Sequence, residues 1–297
     1  MGESLMSIDV LQEKIRKTKN PSMIDLALKS SDLPPYLLEE EGSAAAAYGR
    51  FCRELAGELK GTVPALRVSF TAFAVLGPDG LKELQSVLNA ASAAGYYVVL
   101  EAPYILSPMM AQATAEAVWG ENPIYPCDGL IVSAYAGSDV IKQFLPYVND
   151  KKKDLFPVVR TSNKTAPEIQ DLLTGSRLVH AAAADLVNRF GADNVGKFGY
   201  ARISAVAGAN SAESLRALRM KYPKLFFLVD DMDYSGCNAK ICSNAFDKFG
   251  HGAVVCAGPT VTAAWQEQGT DGRDFTAQAI AAAERMKKNL TRYVTVL

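Results

Sequence analysis

Eight short, near-continuously apolar runs punctuate this chain, each separated from the next by a segment with helical spacing. They begin at Ser22, Ala65, Tyr96, Gly129, Phe156, Phe198, Leu225 and Gly252; YYVVLEA, GLIVSAY and GAVVCAG are representative. A strand with one wet face alternates apolar and polar residues. A strand buried on both faces does not, and such runs mark a parallel sheet covered by helices. Eight of them alternating with helices predict an α/β fold, a single (β/α)8 TIM barrel over residues 1–297. In such a barrel the chemistry sits at the carboxyl ends of the strands.

The intervening segments carry helix signals. The stretch from Ser43 places Tyr48, Phe51, Cys52, Leu55 and Leu59 on one face. PDGLKELQSVLNAASAAG, SPMMAQATAEAVWG, SDVIKQFLPYVN and SAESLRALRMKYP predict helices after the second, third, fourth and sixth strands, and Pro108 suits a first turn. Thr165 and Glu168 have capping-box spacing, which predicts a helix start there. An alanine-rich helix is expected from about Phe275 to Asn289, and residues 33–42, with two prolines, read as a surface loop.

Composition removes several classes of function. The formal net charge is −1 and no Lys/Arg stripe exists, so nucleic acid is not an expected partner. Lys151 to Lys153 read as a solvated turn. Five cysteines without a CxxC spacing argue against zinc and against a disulfide framework, which points to a reducing cytoplasm. No apolar run approaches the ~18 residues of a membrane span. The first residues, MGESLMSIDVLQEK, lack a signal-peptide apolar stretch and read as a tail leading into an amphipathic helix.

The segments NPSMIDLALK, VPALRVSFTAF with LGPDGL, VVLEAPYILSPMMAQATA, SAYAGSD, VVRTSN, FFLVDDMDYSGC and GAVVCAG resemble, in order and spacing, the successive blocks of the bacterial long-chain orotidine 5′-phosphate decarboxylases. The resemblance covers nearly the whole chain. It implies a dimeric TIM barrel that makes UMP in pyrimidine biosynthesis, as a lyase without a cofactor. The matching positions are mostly scaffold: Asn20-Pro21, Val63 to Ala65, Gly77-Pro78, Gly80-Leu81, Tyr135, Gly137, Asp139 and Arg160 to Asn163.

The chemical positions of that family depart from its pattern. Its D-A-K-x-x-D signature supplies a lysine that protonates C6 of the pyrimidine, flanked by carboxylates. The same stretch here is Glu101-Ala102-Pro103-Tyr104-Ile105-Leu106. Arg67 stands for the ribose-binding lysine, and Ala27 for a substrate-binding aspartate. The phosphate loop after strand seven has become Asp230-Asp231-Met232-Asp233-Tyr234-Ser235-Gly236, and Pro259 stands for the phosphate-binding arginine. A proline cannot act as a general acid. The loss of the arginine removes a bidentate partner for phosphate.

Candidate site residues follow from this alignment. Arg67 and Glu101 occupy degenerate catalytic positions and are expected to pair across adjacent strands, either as a working couple or as a structural ion pair. Ser162 and Asn163, with Ser235 and Gly236, are candidates for binding a nucleotide-like molecule; Ser162 would read a base-like amide, or TSN would simply turn the chain into the Thr165 cap. Asp25, Glu101, Asp230, Asp231 and Asp233 could converge, but alternating residues at a strand end point to opposite faces. A solvated acidic rim is therefore expected in place of a metal site. His180 and His251 lack a catalytic neighbourhood and read as structural or surface groups, and Cys256 as a buried apolar residue.

Three functions compete. One is a family homologue, a pseudoenzyme that folds and forms a homodimer through a face including Pro108, Met109 and Met110 but no longer decarboxylates. Another is a barrel with a new reaction, or an acidic ligand or metal site built on Arg67, Glu101 and Asp230 to Asp233. The last is a working decarboxylase with a relocated lysine, for which Lys29 and Lys164 lie just past strand ends.

Overall fold

The eight apolar runs form eight parallel strands that close on themselves. This computed structural model describes residues 7–27, 29–102, 104–233 and 236–297. The barrel strands are β1 (Ser22–Asp25), β2 (Ala65–Ser69), β3 (Tyr97–Glu101), β4 (Gly129–Ser133), β5 (Asp154–Arg160), β6 (Ala205–Gly208), β7 (Phe227–Asp230) and β8 (Ala253–Ala257). Each pairs with its sequence neighbours, and β8 closes onto β1 through Ser22–Val255 and Met23–Cys256. Met23, Val68, Val98, Val132 and Val254 are fully buried. Each such side chain contributes about 1.5–3 kcal/mol on burial.

Helices fill the outer ring largely where their signals lie. Ser43, Ser107 and Ser211 each accept a backbone N–H three residues on and start the helices Ala44–Glu58, Pro108–Trp119 and Ala212–Lys221. The helix Gly77–Ala94 ends on Gly95, whose left-handed φ of 89° a side chain would resist. The final helix runs from Phe275 to Thr291. The amphipathic helix Ser7–Thr18 covers the amino ends of the strands. Its Asp9 accepts the N–H groups of Lys197 and Phe198, and its Gln12 accepts that of Gly252.

Three local expectations change. Residues 33–42 are not a plain loop: Pro35–Glu41 is a helix, with Pro35 at its first turn, Leu37 buried and Gly42 closing it at φ 68°. The segment after β4 breaks into Ser138–Lys142 and Leu145–Asp150. Pro146 is the cause, because its ring clashes with the carbonyl of Lys142 four residues earlier. The Thr165 capping box does not form. Thr165 takes a hydrogen bond from the Asn163 amide, and the helix there spans only Pro167–Gln170. A hairpin, Leu173–Thr174 with Arg177–Leu178, then leads into the long helix Val179–Gly191.

Candidate functional site

The carboxyl ends of the strands gather a charged cluster centred on Arg67. Strand register decides its partners. Arg67 lies beside Asp25 across β1 and β2, and beside Val99 across β2 and β3. The guanidinium donates to the carboxylates of Asp25 and of Asp230, the latter reached from the end of β7. Asp25 also accepts the Ala27 N–H at 3.0 Å. Arg67 and Asp25 are both buried. Burial works against the guanidinium charge, but Asp230 and then Asp25 outweigh it and raise the Arg67 pKa well above its ordinary value. The buried Arg67 Nε finds no hydrogen-bond partner among the described residues.

The expected Arg67–Glu101 pair is therefore replaced by an Asp25–Arg67–Asp230 triad. Glu101 sits level with Ser69, two residues nearer the mouth than Arg67. It forms no ion pair within 4.0 Å among the described residues. Burial pushes its carboxyl pKa up, while Arg67 and a hydrogen bond from Ser69 pull it down; the net shift is upward.

The acidic loop after β7 is tied into the same end of the barrel. Asp233 accepts the Gly258 N–H and the Thr260 hydroxyl, so its carboxylate covers the donors that follow β8. Pro259 opens the short helix Pro259–Thr262. Asp231, at a left-handed φ of 61°, accepts from the Ser162 hydroxyl at 3.2 Å. Burial and the neighbouring Asp230 raise its pKa. Among the described residues, no group of three or more His, Cys, Asp or Glu is arranged to hold a metal ion.

The remaining candidates divide. Ser162 is buried, and its carbonyl accepts the Asn210 amide at 2.8 Å. Asn163 is exposed and turned toward Thr165. Gly236 has a φ of 91°, which only glycine adopts freely. Ser235, like Pro103 and Tyr234, lies outside the described residues. Lys29 lines a cavity of ≈ 220 Å³ with Leu33, Tyr48 and Leu76, away from the triad, and Lys164 is exposed. Cys256 is fully buried, as expected of an apolar-type thiol.

One polar cluster was not visible as such in the sequence. Arg160, at the end of β5, grips Asp171 through Nε and Nη2 at 3.2 and 3.1 Å and donates to Asn210 at 2.5 Å. His180, buried, places Nδ1 3.0 Å from Asp171. Arg160 is the leading cause that holds the Asp171 carboxyl below its ordinary pKa. The only sequence signal was a histidine in an otherwise alanine-rich helix start.

Comparisons with known proteins agree with this geometry at the level of the family. No family model matches the chain. It is 30% identical over 254 residues to the orotidine 5′-phosphate decarboxylase of Rhodopirellula baltica, covering 82% of this chain and 84% of that one. It is 25% identical to the orotidine 5′-phosphate decarboxylase of Clostridium novyi, over 97% of this chain and 99% of that one. A crystal structure of a Toxoplasma gondii protein described as a putative orotidine-monophosphate-decarboxylase superposes with a TM-score of 0.80 at 22% identity, over 97% of this chain and 98% of that one. A Streptomyces avermitilis structure described as a putative orotidine 5′-phosphate decarboxylase gives 0.78 at 21%, over 98% and 96%. The two structures share the barrel fold, and the relatives that match along most of its length show that this chain belongs to the orotidine 5′-phosphate decarboxylase family.

Proposed function

We propose that this member of the family does not convert orotidine 5′-monophosphate to UMP, and that its barrel mouth serves a different ligand. The observation that carries the reading is the Asp25–Arg67–Asp230 triad, in which the mouth's central cation is already neutralised by the chain's own carboxylates. Orotidine 5′-monophosphate brings a carboxylate and a phosphate. Glu101, Asp231 and Asp233 add acidic groups around the triad, and Asp233 covers the donors at Gly258 and Thr260. Removing one preorganised charged group from a catalytic site typically costs about 10²–10³ in rate. Here the segment from Glu101 to Leu106 also contains no lysine to protonate C6.

The test is a decarboxylation assay that follows the pyrimidine absorbance, with a tag-swapped control to exclude host enzyme. The expected result is no turnover above the control. Robust turnover abolished by Lys29→Ala or Lys164→Ala would overturn the reading and identify the relocated acid.

The same reading includes a homodimer. Leu106 and Met109 are 66% and 80% exposed, and Met110 and Tyr104 extend the same apolar surface after β3. Exposed apolar side chains in one stretch favour association, and methionine adapts to a partner's contour. Light scattering should report a dimer at micromolar concentration; a monomer would remove this part of the proposal.

A further inference from the structure

A groove of ≈ 660 Å³ runs along the outer wall of the barrel, between the helices that follow β4 and the helix that follows β5. It is separate from the charged mouth. Lys142 lines one side, and Arg189, Phe190 and Asn194 line the other. The Arg189 guanidinium lies 5.5 Å from the Phe190 ring centre and has no carboxylate partner among the described residues. Lys142 has only a loose, exposed contact of 3.8 Å to Asp139. Solvated cations of this kind are ordinary on a helix surface. The group behind them is not.

Arg202 is buried behind the groove and forms no ion pair among the described residues. It donates to the Val148 carbonyl and, at 3.0 Å, to Asn194 Oδ1; its Nε has no partner among the described residues. A guanidinium only donates, so Asn194 must present its carbonyl oxygen to Arg202. The Asn194 amide nitrogen is therefore free to serve as a donor to the groove. Two cations, Lys142 and Arg189, line this groove with one carboxylate, Asp193, and Arg202 adds a third positive charge from behind, with Asp154 and Asp9 the acidic groups that face it. The buried charge of Arg202 is screened far less than a surface charge.

We infer that the groove binds a small phosphomonoester dianion, held between Lys142 and Arg189, with the Asn194 amide as donor and Phe190 and Leu145 against its organic part. Arginine suits such an anion because its planar fork bonds two oxygens at once.

Calorimetric titration of the full chain with phenyl phosphate tests this. Saturable binding with a Kd below about 1 mM is expected. Lys142→Ala with Arg189→Ala should weaken it at least about ten-fold; both residues are exposed, so the fold should persist, with circular dichroism as the check. The mouth variant Asp25→Asn, Arg67→Met and Asp230→Asn should bind as the wild type does. Absence of saturable binding to the wild type would overturn the inference. So would binding that survives the Lys142/Arg189 pair or that is lost in the mouth variant, because the anion would then lie elsewhere.

Discussion

Two buried arginines at opposite ends of the barrel accommodate their charge in opposite ways. Arg67, at the mouth, sits between two carboxylates. Arg219, at the other end, donates to four backbone carbonyls, those of Ala245, Pro223, Leu225 and Gly252, and lies 4.5 Å from the Phe227 ring centre. Carbonyl dipoles solvate a cation without cancelling it, and burial pulls the Arg219 pKa down to about 10. The carboxylates drive Arg67 the other way. The difference separates scaffold from site. Arg219 ties together the segments that enter β7 and β8, and no second substitution can replace that. The Arg67 triad is made of side chains alone, so it can be exchanged as a unit.

The largest expected effect is at Arg67. Arg67→Met leaves Asp25 and Asp230 close together without a cation, and loss of one partner of a buried pair typically costs about 3–5 kcal/mol. Urea unfolding measures it. A loss below about 1 kcal/mol would place the triad on the wet side of the mouth, where exposed pairs contribute that little.

Arg219→Met comes next. It leaves buried carbonyls without donors, each costing about 1–3 kcal/mol unless water enters. A loss of about 2–4 kcal/mol is expected, and lysine at this position should recover only a minor part. Full recovery by Arg219→Lys would show that the fork geometry is irrelevant.

Asp171→Asn should cost less, about 1–3 kcal/mol, because it removes the carboxylate that Arg160 and His180 share, while Asn210 still holds Arg160 and the Gln170 carbonyl still lies 3.0 Å from His180 Nδ1. Thermal unfolding measures the loss. An unchanged melting temperature would show that solvent takes over the role of Asp171.

The smallest effect concerns Glu101. Its folded-state pKa is raised above the ordinary 4.5, so its contribution to stability is complete below that value and is lost as pH rises through the folded pKa. Glu101→Gln should remove this slope and be neutral or mildly stabilising at pH 7. The Arg67–Glu101 pair suggested by the sequence requires the opposite, a clear destabilisation, so this variant discriminates between the two partnerships.

Burial on both faces made the strands legible, because a two-sided requirement leaves an uninterrupted apolar run. Ser43, Ser107 and Ser211 announced their helices by local chemistry. The site was less legible. Arg67 has acidic residues on both sides, and only the one-residue detail of register puts it level with Asp25 while Glu101 lies level with Ser69. Asp230 is 163 residues away along the chain and meets Arg67 only because the barrel closes. Asp233 looked like one more acid in a run, yet its partner Gly258 is set by the end of β8. The Arg160–Asp171–His180 cluster falls in an irregular excursion where neither helical nor strand period applies.

Asp25 and Asp230 satisfy the mouth's cation internally. The decisive measurement combines Asp25→Asn, Arg67→Met and Asp230→Asn and compares urea unfolding with Arg67→Met and with the two aspartate changes alone. Replacing a whole buried ion cluster is often close to neutral, whereas breaking it is not. The triple variant should unfold within about 1 kcal/mol of the wild type and be more stable than Arg67→Met. A triple-variant loss equal to the sum of the separate losses would show that these residues do not interact and that the cation is not satisfied by the two aspartates.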